Sequence, residues 1–247
     1  MANKLSLLVD LGNSRLKWAW AENWQIVTGP PLDNEHLNPA TLRNLWQALP
    51  KPDFLIVSCV SAWHFEESLH QVAKALWPTI NIISVTPQAH AFGVTNAYPQ
   101  PEKLGVDRWL SLIAARKLYD GAVCVVDCGT AITIDLLDAE GCHQGGFIAP
   151  GLTLMKKSLV QGTHALQFNE HTQVVGPANN TDAAIYSGTL AACCGLIEHV
   201  LSAQSQHYSL ILTGGDAALI ADHLAVPSIL DHDLVLRGLL TVSEGIG

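Results

Sequence analysis

Three polar glycine turns carry the first chemical signal: Asp10-Leu11-Gly12-Asn13, Asp127-Cys128-Gly129-Thr130 and Thr213-Gly214-Gly215-Asp216. Each closes an apolar run. Such turns bring backbone N–H groups close to an anion, because glycine places no Cβ in the way. A carboxylate beside them can hold a cation that neutralises phosphate charge. Lys17, shortly after the first turn, can reach a bound phosphate. A second signal is the pair Asp107-Arg108, an acid able to orient a hydroxyl next to a guanidinium able to clamp an anion. Taken singly, each feature also fits plain architecture. Glycine turns join strands in many α/β proteins, Asp107 can cap a helix, and Tyr98 is ambiguous on local grounds. The chain lacks both GxxxxGK[ST] and a GxGxxG opening a helix, so it is neither a P-loop protein nor a dinucleotide binder of that fingerprint.

The elements that must position these residues follow from periodicity. LSLLV at 5–9 is a strand, and alternation over 15–26 makes a second, with Leu16, Trp18 and Trp20 on one face. The core is the expected place for Trp18, Trp20 and Trp24. Helical spacing over 37–49 ends at Pro50 and Pro52. FLIVSCV at 54–60 is an apolar strand, 63–77 an amphipathic helix, and 81–85 a strand. Residues 86–104 carry Pro87, Pro99 and Pro101, lack periodicity and read as a long loop, of the kind that is usually functional or mobile. A helix follows to about Leu118. A second beginning opens at 121, where VDCGTA at 126–131 repeats VDLGNS at 9–14 in the same strand–turn–strand setting. A helix is expected over 152–161, a polar loop over 162–180, and a long apolar helix from Thr181, with Thr181 as its N-cap. A strand, glycine turn and helix follow over 209–224. The pattern is α/β, as an internal duplication split near residue 117, with halves 1–117 and 118–247.

Composition bounds the function. The 247 residues include 13 Lys+Arg and 22 Asp+Glu, a net charge of −9, with 49% hydrophobic and only 14% charged residues. Globular chains average about 25% charged, so this one buries a large core and has surface to spare for a subunit contact. Without a basic run it is not a nucleic-acid-coating protein. No stretch approaches ~18 uninterrupted apolar residues, and the N-terminus is not a signal peptide, so no membrane and a cytoplasmic location are expected. Six cysteines without a CxxC pair read as buried, reduced thiols. The histidines show no zinc spacing.

Taken together, the motifs resemble type III pantothenate kinase. The series is Asp10-x-Gly12-Asn13-x-x-x-Lys17, Gly105-x-Asp107-Arg108, Asp127-x-Gly129-Thr130-Ala131, Gly145-Gly146…Pro150-Gly151, Thr181-x-x-Ala184-Ile185…Gly188 and Thr213-Gly214-Gly215. Six motifs in order span nearly the whole chain. Ser14 stands where the family usually has Thr, and Val106 where it often has Ala.

The resemblance implies the acetate and sugar kinase, heat-shock cognate and actin fold, with two ribonuclease-H-like halves and a cleft between them. It implies ATP-dependent phosphorylation of pantothenate to 4′-phosphopantothenate, the first step of coenzyme A biosynthesis. Asp10, Leu11, Gly12, Asn13, Ser14, Arg15, Leu16 and Lys17, with Thr130, would hold ATP, which comes with Mg²⁺. Asp127 would bind a monovalent cation, potassium or ammonium. Tyr98, Gly105, Val106, Asp107, Arg108 and Thr181 would line the pantothenate pocket, with Asp107 as catalytic base. A homodimer is implied, with that pocket near the subunit interface and Thr181 contributed by the neighbouring subunit. Two rival readings are a phosphohydrolase of the same superfamily and a nucleotide-binding transcriptional accessory factor of the same family.

Overall fold

The alternation of apolar residues at the start of the chain produces a hairpin, and the rest of the first unit is built outward from it. The structure, a computed structural model, describes residues 4–61, 63–162 and 175–246; within the expected loop 162–180, residues 163–174 lie outside the described residues. β1 (Leu5–Leu11) pairs antiparallel with β2 (Arg15–Glu22), and β2 with β3 (Gln25–Thr28). The single strand expected over 15–26 is therefore broken. Asn23 and Trp24 adopt φ of 51° and 64°, the left-handed pair of a tight hairpin turn. Trp24 accordingly stands 50% exposed, under the Lys117 ammonium at 5.1 Å from its ring, whereas Trp18 is core. The short β4 (Leu32–Asp33) edges β2.

α1 (Pro39–Trp46) begins where the Asn38 side chain accepts from the N–H groups of Ala40 and Thr41, with proline at its first turn. β5 (Phe54–Cys59) lies parallel to β1, and α2 (Trp63–Leu76) carries the chain to β6 (Asn81–Ser84), parallel to β5. Leu7, Val9, Leu11, Leu16, Trp46, Leu55, Val57 and Leu69 form the core between sheet and helices. The expected loop 86–104 is not structureless. It folds into the hairpin of β7 (His90–Ala91) and β8 (Val94–Thr95), followed by a 3₁₀ turn over Pro101–Lys103. Two-residue strands are too short to show periodicity. α3 (Val106–Leu118) ends this stretch as expected.

The second unit repeats the plan. β9 (Val123–Cys128), β10 (Ala131–Leu137) and β11 (His143–Pro150) form an antiparallel meander. α4 (Leu152–Gly162) and α5 (Thr181–Ser202) precede β12 (Ser209–Thr213), which pairs parallel with β9. α6 (Ala217–Ala221) leads to β13 (Ser228–Leu230), parallel to β12. The two sheet orders correspond: β3-β2-β1-β5-β6 and β11-β10-β9-β12-β13. In both, the first strand ends in an aspartate turn and pairs antiparallel on one side and parallel on the other. α5 is long and apolar enough to cross a membrane by length and composition. It lays Ile185, Tyr186, Leu190, Cys193, Ile197 and Val200 into the core of this unit.

The last helix, α7 (Leu234–Gly245), does not stay with the second unit. Contacts divide the chain into Met1–Tyr119 with Asp233–Gly247, and Asp120–His232. The expected second half, 118–247, is thus shortened at its end. α7 packs on α3 with Gly238 against the Leu110 carbonyl, where a Cβ would collide.

Candidate active site

In the first unit the Asp10–Lys17 segment is the β1–β2 hairpin end. Asp10 and Lys17 are direct cross-strand partners, so their side chains share one face of the sheet. Asp10 is nearly buried at 9% exposure, and Lys17 is half-buried. Leu11 and Leu16 point into the core, so they can offer a ligand only backbone. Gly12, Asn13, Ser14 and Arg15 form the turn, closed by the Gly12 N–H donating to the Arg15 carbonyl at 3.1 Å.

A residue that sequence reading missed fixes this turn. Asn34 donates through Nδ2 to the carbonyls of Gly12 and Asn13, both at 2.9 Å, and its N–H donates to the Ser14 carbonyl at 2.9 Å. Three bonds from one residue turn the loop carbonyls to one side. The only sequence hint is an amide side chain just past Leu32-Asp33.

The Asp107 motif sits at the start of α3. Asp107 Oδ1 accepts from the Arg108 N–H at 2.8 Å, folding the carboxylate back over the helix N-terminus. Gly105 permits this, since a Cβ there would come 2.6 Å from that oxygen. Negative charge at this end of a helix meets the favourable end of its dipole. Val106 is buried and holds the first turn down. Arg108 is only 6% exposed; its Nη1 donates to the Tyr98 hydroxyl at 3.0 Å, and its guanidinium lies 5.8 Å from the Tyr98 ring centre. Asn96, also missed, accepts from the Tyr98 N–H at 2.9 Å and donates to the Pro101 carbonyl at 3.3 Å. Tyr98, Gly105, Asp107 and Arg108 are therefore brought together.

In the second unit the site residues gather around Asp127. It pairs across strands with Thr133 on one side and Thr213 on the other. Gly214, at φ 95°, passes directly over it; a Cβ there would lie 2.5 Å from both Asp127 Oδ1 and the Cys128 carbonyl. The Asp216 N–H donates to that carbonyl at 3.0 Å. Thr130 is exposed at the turn, and its carbonyl accepts from the Gly151 N–H at 2.9 Å. So the Asp127, Gly151 and Gly214 motifs converge on one spot. Thr181 lies apart from it. It is exposed in the first turn of α5, and the N-cap is Asn180, whose side chain accepts from the Ala183 N–H at 3.0 Å. Thr181 lines a groove of about 820 Å³ with Met155, Ser158, Asn179 and Ala184.

The family model described as type III pantothenate kinase matches residues 6–203 of the chain. The chain belongs to this family. A type III pantothenate kinase of Nitrosococcus oceani is 37% identical over 256 residues, covering 96% of this chain and 93% of its own. Among solved structures, a Campylobacter jejuni protein described as a member of the Baf family of transcriptional activators is similar with TM-score 0.62 at 25% identity, covering 97% of this chain and 98% of its own. The ethanolamine utilization protein EutJ of Carboxydothermus hydrogenoformans, at TM-score 0.55 and 14% identity, covers 98% of this chain and 90% of its own and shares the fold. Type III pantothenate kinases phosphorylate pantothenate in coenzyme A biosynthesis, with ATP and a divalent metal. The chain is α/β with two sheets and shares its fold with these two solved structures.

Proposed function

We propose that this type III pantothenate kinase uses Asp107 as the base that receives the proton of the terminal hydroxyl of pantothenate. The observation that carries the reading is the Asp107 carboxylate folded over Gly105 at the start of α3, beside the buried Arg108–Tyr98 pair. Phosphoryl transfer passes through a loose transition state, so positioning and charge neutralisation matter more than base strength. Asp107 aims the oxygen, and Arg108 clamps the pantothenate carboxylate, with Tyr98, Gly105 and Val106 shaping its surroundings. The turn amides from Asp10 to Lys17, the Lys17 ammonium and Thr130 hold the ATP phosphates. Mg²⁺ bound with ATP supplies further neutralisation of the phosphate oxygens.

Asp127 holds the monovalent cation, potassium or ammonium; the carboxylate and carbonyl oxygens crowded beneath Gly214 are the hard donors such an ion takes. Thr181 lines the pantothenate pocket of a neighbouring subunit in a cytoplasmic homodimer. The exposed face of α5, with Ala184, Gly188, Ala191 and Gly195, supports such a contact, because small side chains let another surface approach closely.

An ADP-release assay with and without pantothenate tests the reading. Release should depend on pantothenate and on potassium or ammonium. Asp107→Asn should fold normally and lose roughly 10²–10⁴-fold in turnover. Wild-type turnover in Asp107→Asn would remove the base assignment, equal rates in sodium and potassium would remove the cation role of Asp127, and release without pantothenate would favour a phosphohydrolase.

A further inference from the structure

We infer that Phe92, seated on Gly245, is a positioning residue for the pantothenate-facing loop and sets the KM for pantothenate without setting that for ATP. This rests on Tyr98 and Arg108 being pantothenate contacts. Phe92 and Gly93 form the β7–β8 turn with φ of 52° and 77°. A turn with both central residues left-handed suits Asn and Gly. Gly93 is at home there; a bulky aromatic is an outlier. Strained backbone persists only where surroundings over-determine it, and such positions cluster at functional sites.

The over-determining contact is at the last residue of α7. A Cβ on Gly245 would lie 2.7 Å from Phe92 Cε1, so the ring edge rests against bare backbone. Burial alone does not explain the arrangement, because Phe92 keeps 38% exposure. The seat is firm. Ser243 and Ser6 share a buried hydroxyl–hydroxyl bond of 2.6 Å, and Lys4 Nζ donates to the Ile246 carbonyl, both tying this end of α7 to the start of the first sheet.

The other end of the hairpin leads into the site. The Asn96 N–H donates to the Ala89 carbonyl at 2.9 Å, closing the hairpin, and the Asn96 side chain then places Tyr98, whose hydroxyl accepts from Arg108. A displaced ring releases the turn, then Asn96, then Tyr98. The ATP-facing turn is held separately, by Asn34.

The test is steady-state kinetics on wild type, Phe92→Ala, Phe92→Tyr and Gly245→Ala, with amide hydrogen exchange over residues 94–101. Phe92→Ala and Gly245→Ala should each raise the pantothenate KM about tenfold. ATP KM and kcat at saturation should stay within about twofold. Exchange over 94–101 should quicken, and Phe92→Tyr should behave as wild type. An unchanged pantothenate KM, or both KM values rising together with lost kcat, overturns the inference, as does failure of both variants to fold. Wild type without pantothenate-dependent turnover fails the kinase reading instead. Exchange then still judges the latch, and unchanged exchange in Phe92→Ala overturns it.

Discussion

Asn34 holds the carbonyls of the Gly12–Ser14 turn and Gly105 leaves room for the Asp107 carboxylate, and each makes a prediction at the scale of a single side chain. Asn34→Ala removes both side-chain bonds to the Gly12 and Asn13 carbonyls. A net worth of about 1 kcal/mol per bond makes a rise in ATP KM of up to about thirtyfold the expected result, with pantothenate KM unchanged. A variant with wild-type ATP KM would show that the turn holds its shape unaided. Gly105→Ala forces a methyl to within 2.6 Å of the Asp107 carboxylate. Turnover should fall on the order of 10-fold or more through misalignment, while circular dichroism stays that of wild type; preserved turnover would mean the carboxylate works from another position. Legibility differs sharply at this scale. Asp10 with Lys17, and Asp107 with Arg108, stand out as motifs because each pair lies within a few positions along the chain, whereas Thr213 and Gly214, beside and over Asp127, come from far along it. Asn34 does not stand out, since it reaches back 21 and 22 positions, and nothing local marks that reach.

Among the elements, the long ones were legible and the short or borrowed ones were not. α2, α3, α4 and α5 announce themselves by apolar spacing over eleven or more residues. The β7–β8 hairpin offers two residues per strand, and the break between β2 and β3 falls on Asn23-Trp24, where tryptophan hides a turn. The start of α5 is displaced by one position, because Asn180 precedes Thr181 and both residue types can cap. Asn180→Ala should therefore cost about 1 kcal/mol of stability, read as a shift in urea midpoint, and Thr181→Ala much less. Equal costs would return the cap to Thr181. α7 carries a different demand. Its crossing of α3 is close enough that Gly238→Ala drives a methyl into the Leu110 carbonyl. Overpacking of this kind typically costs about 1–3 kcal/mol, and the loss should appear in tryptophan fluorescence, which reports the unit holding α3. A neutral substitution would mean the two helices slide apart freely.

For the whole molecule, tryptophan reports the first unit alone, and five of the six cysteines, all but Cys59, fall in the second. All seven tryptophans, from Trp18 to Trp109, fall in the first unit, while Cys124, Cys128 and Cys193 lie in the core of the second. Burial pushes the Cys124 thiol up to about 12, helped by the nearby Asp135 charge. Burial, then the neighbouring Cys194, pushes Cys193 up to about 12 as well. Cys128 is raised by burial and then by Asp127. An unfolded thiol ionises near 9, so between about pH 9 and 12 the unfolded chain gives up protons that the folded chain keeps. Raised folded values mean full stability below pH 9 and loss as pH climbs through that window. Urea unfolding followed by thiol labelling should therefore shift to lower midpoint between pH 8 and 10.5, and tryptophan fluorescence should shift less. Cys124→Ala with Cys193→Ala should flatten the thiol-side dependence. Equal shifts by both probes would mean that the two units unfold as one, and an unchanged slope in the double variant would mean that these thiols do not govern alkaline stability.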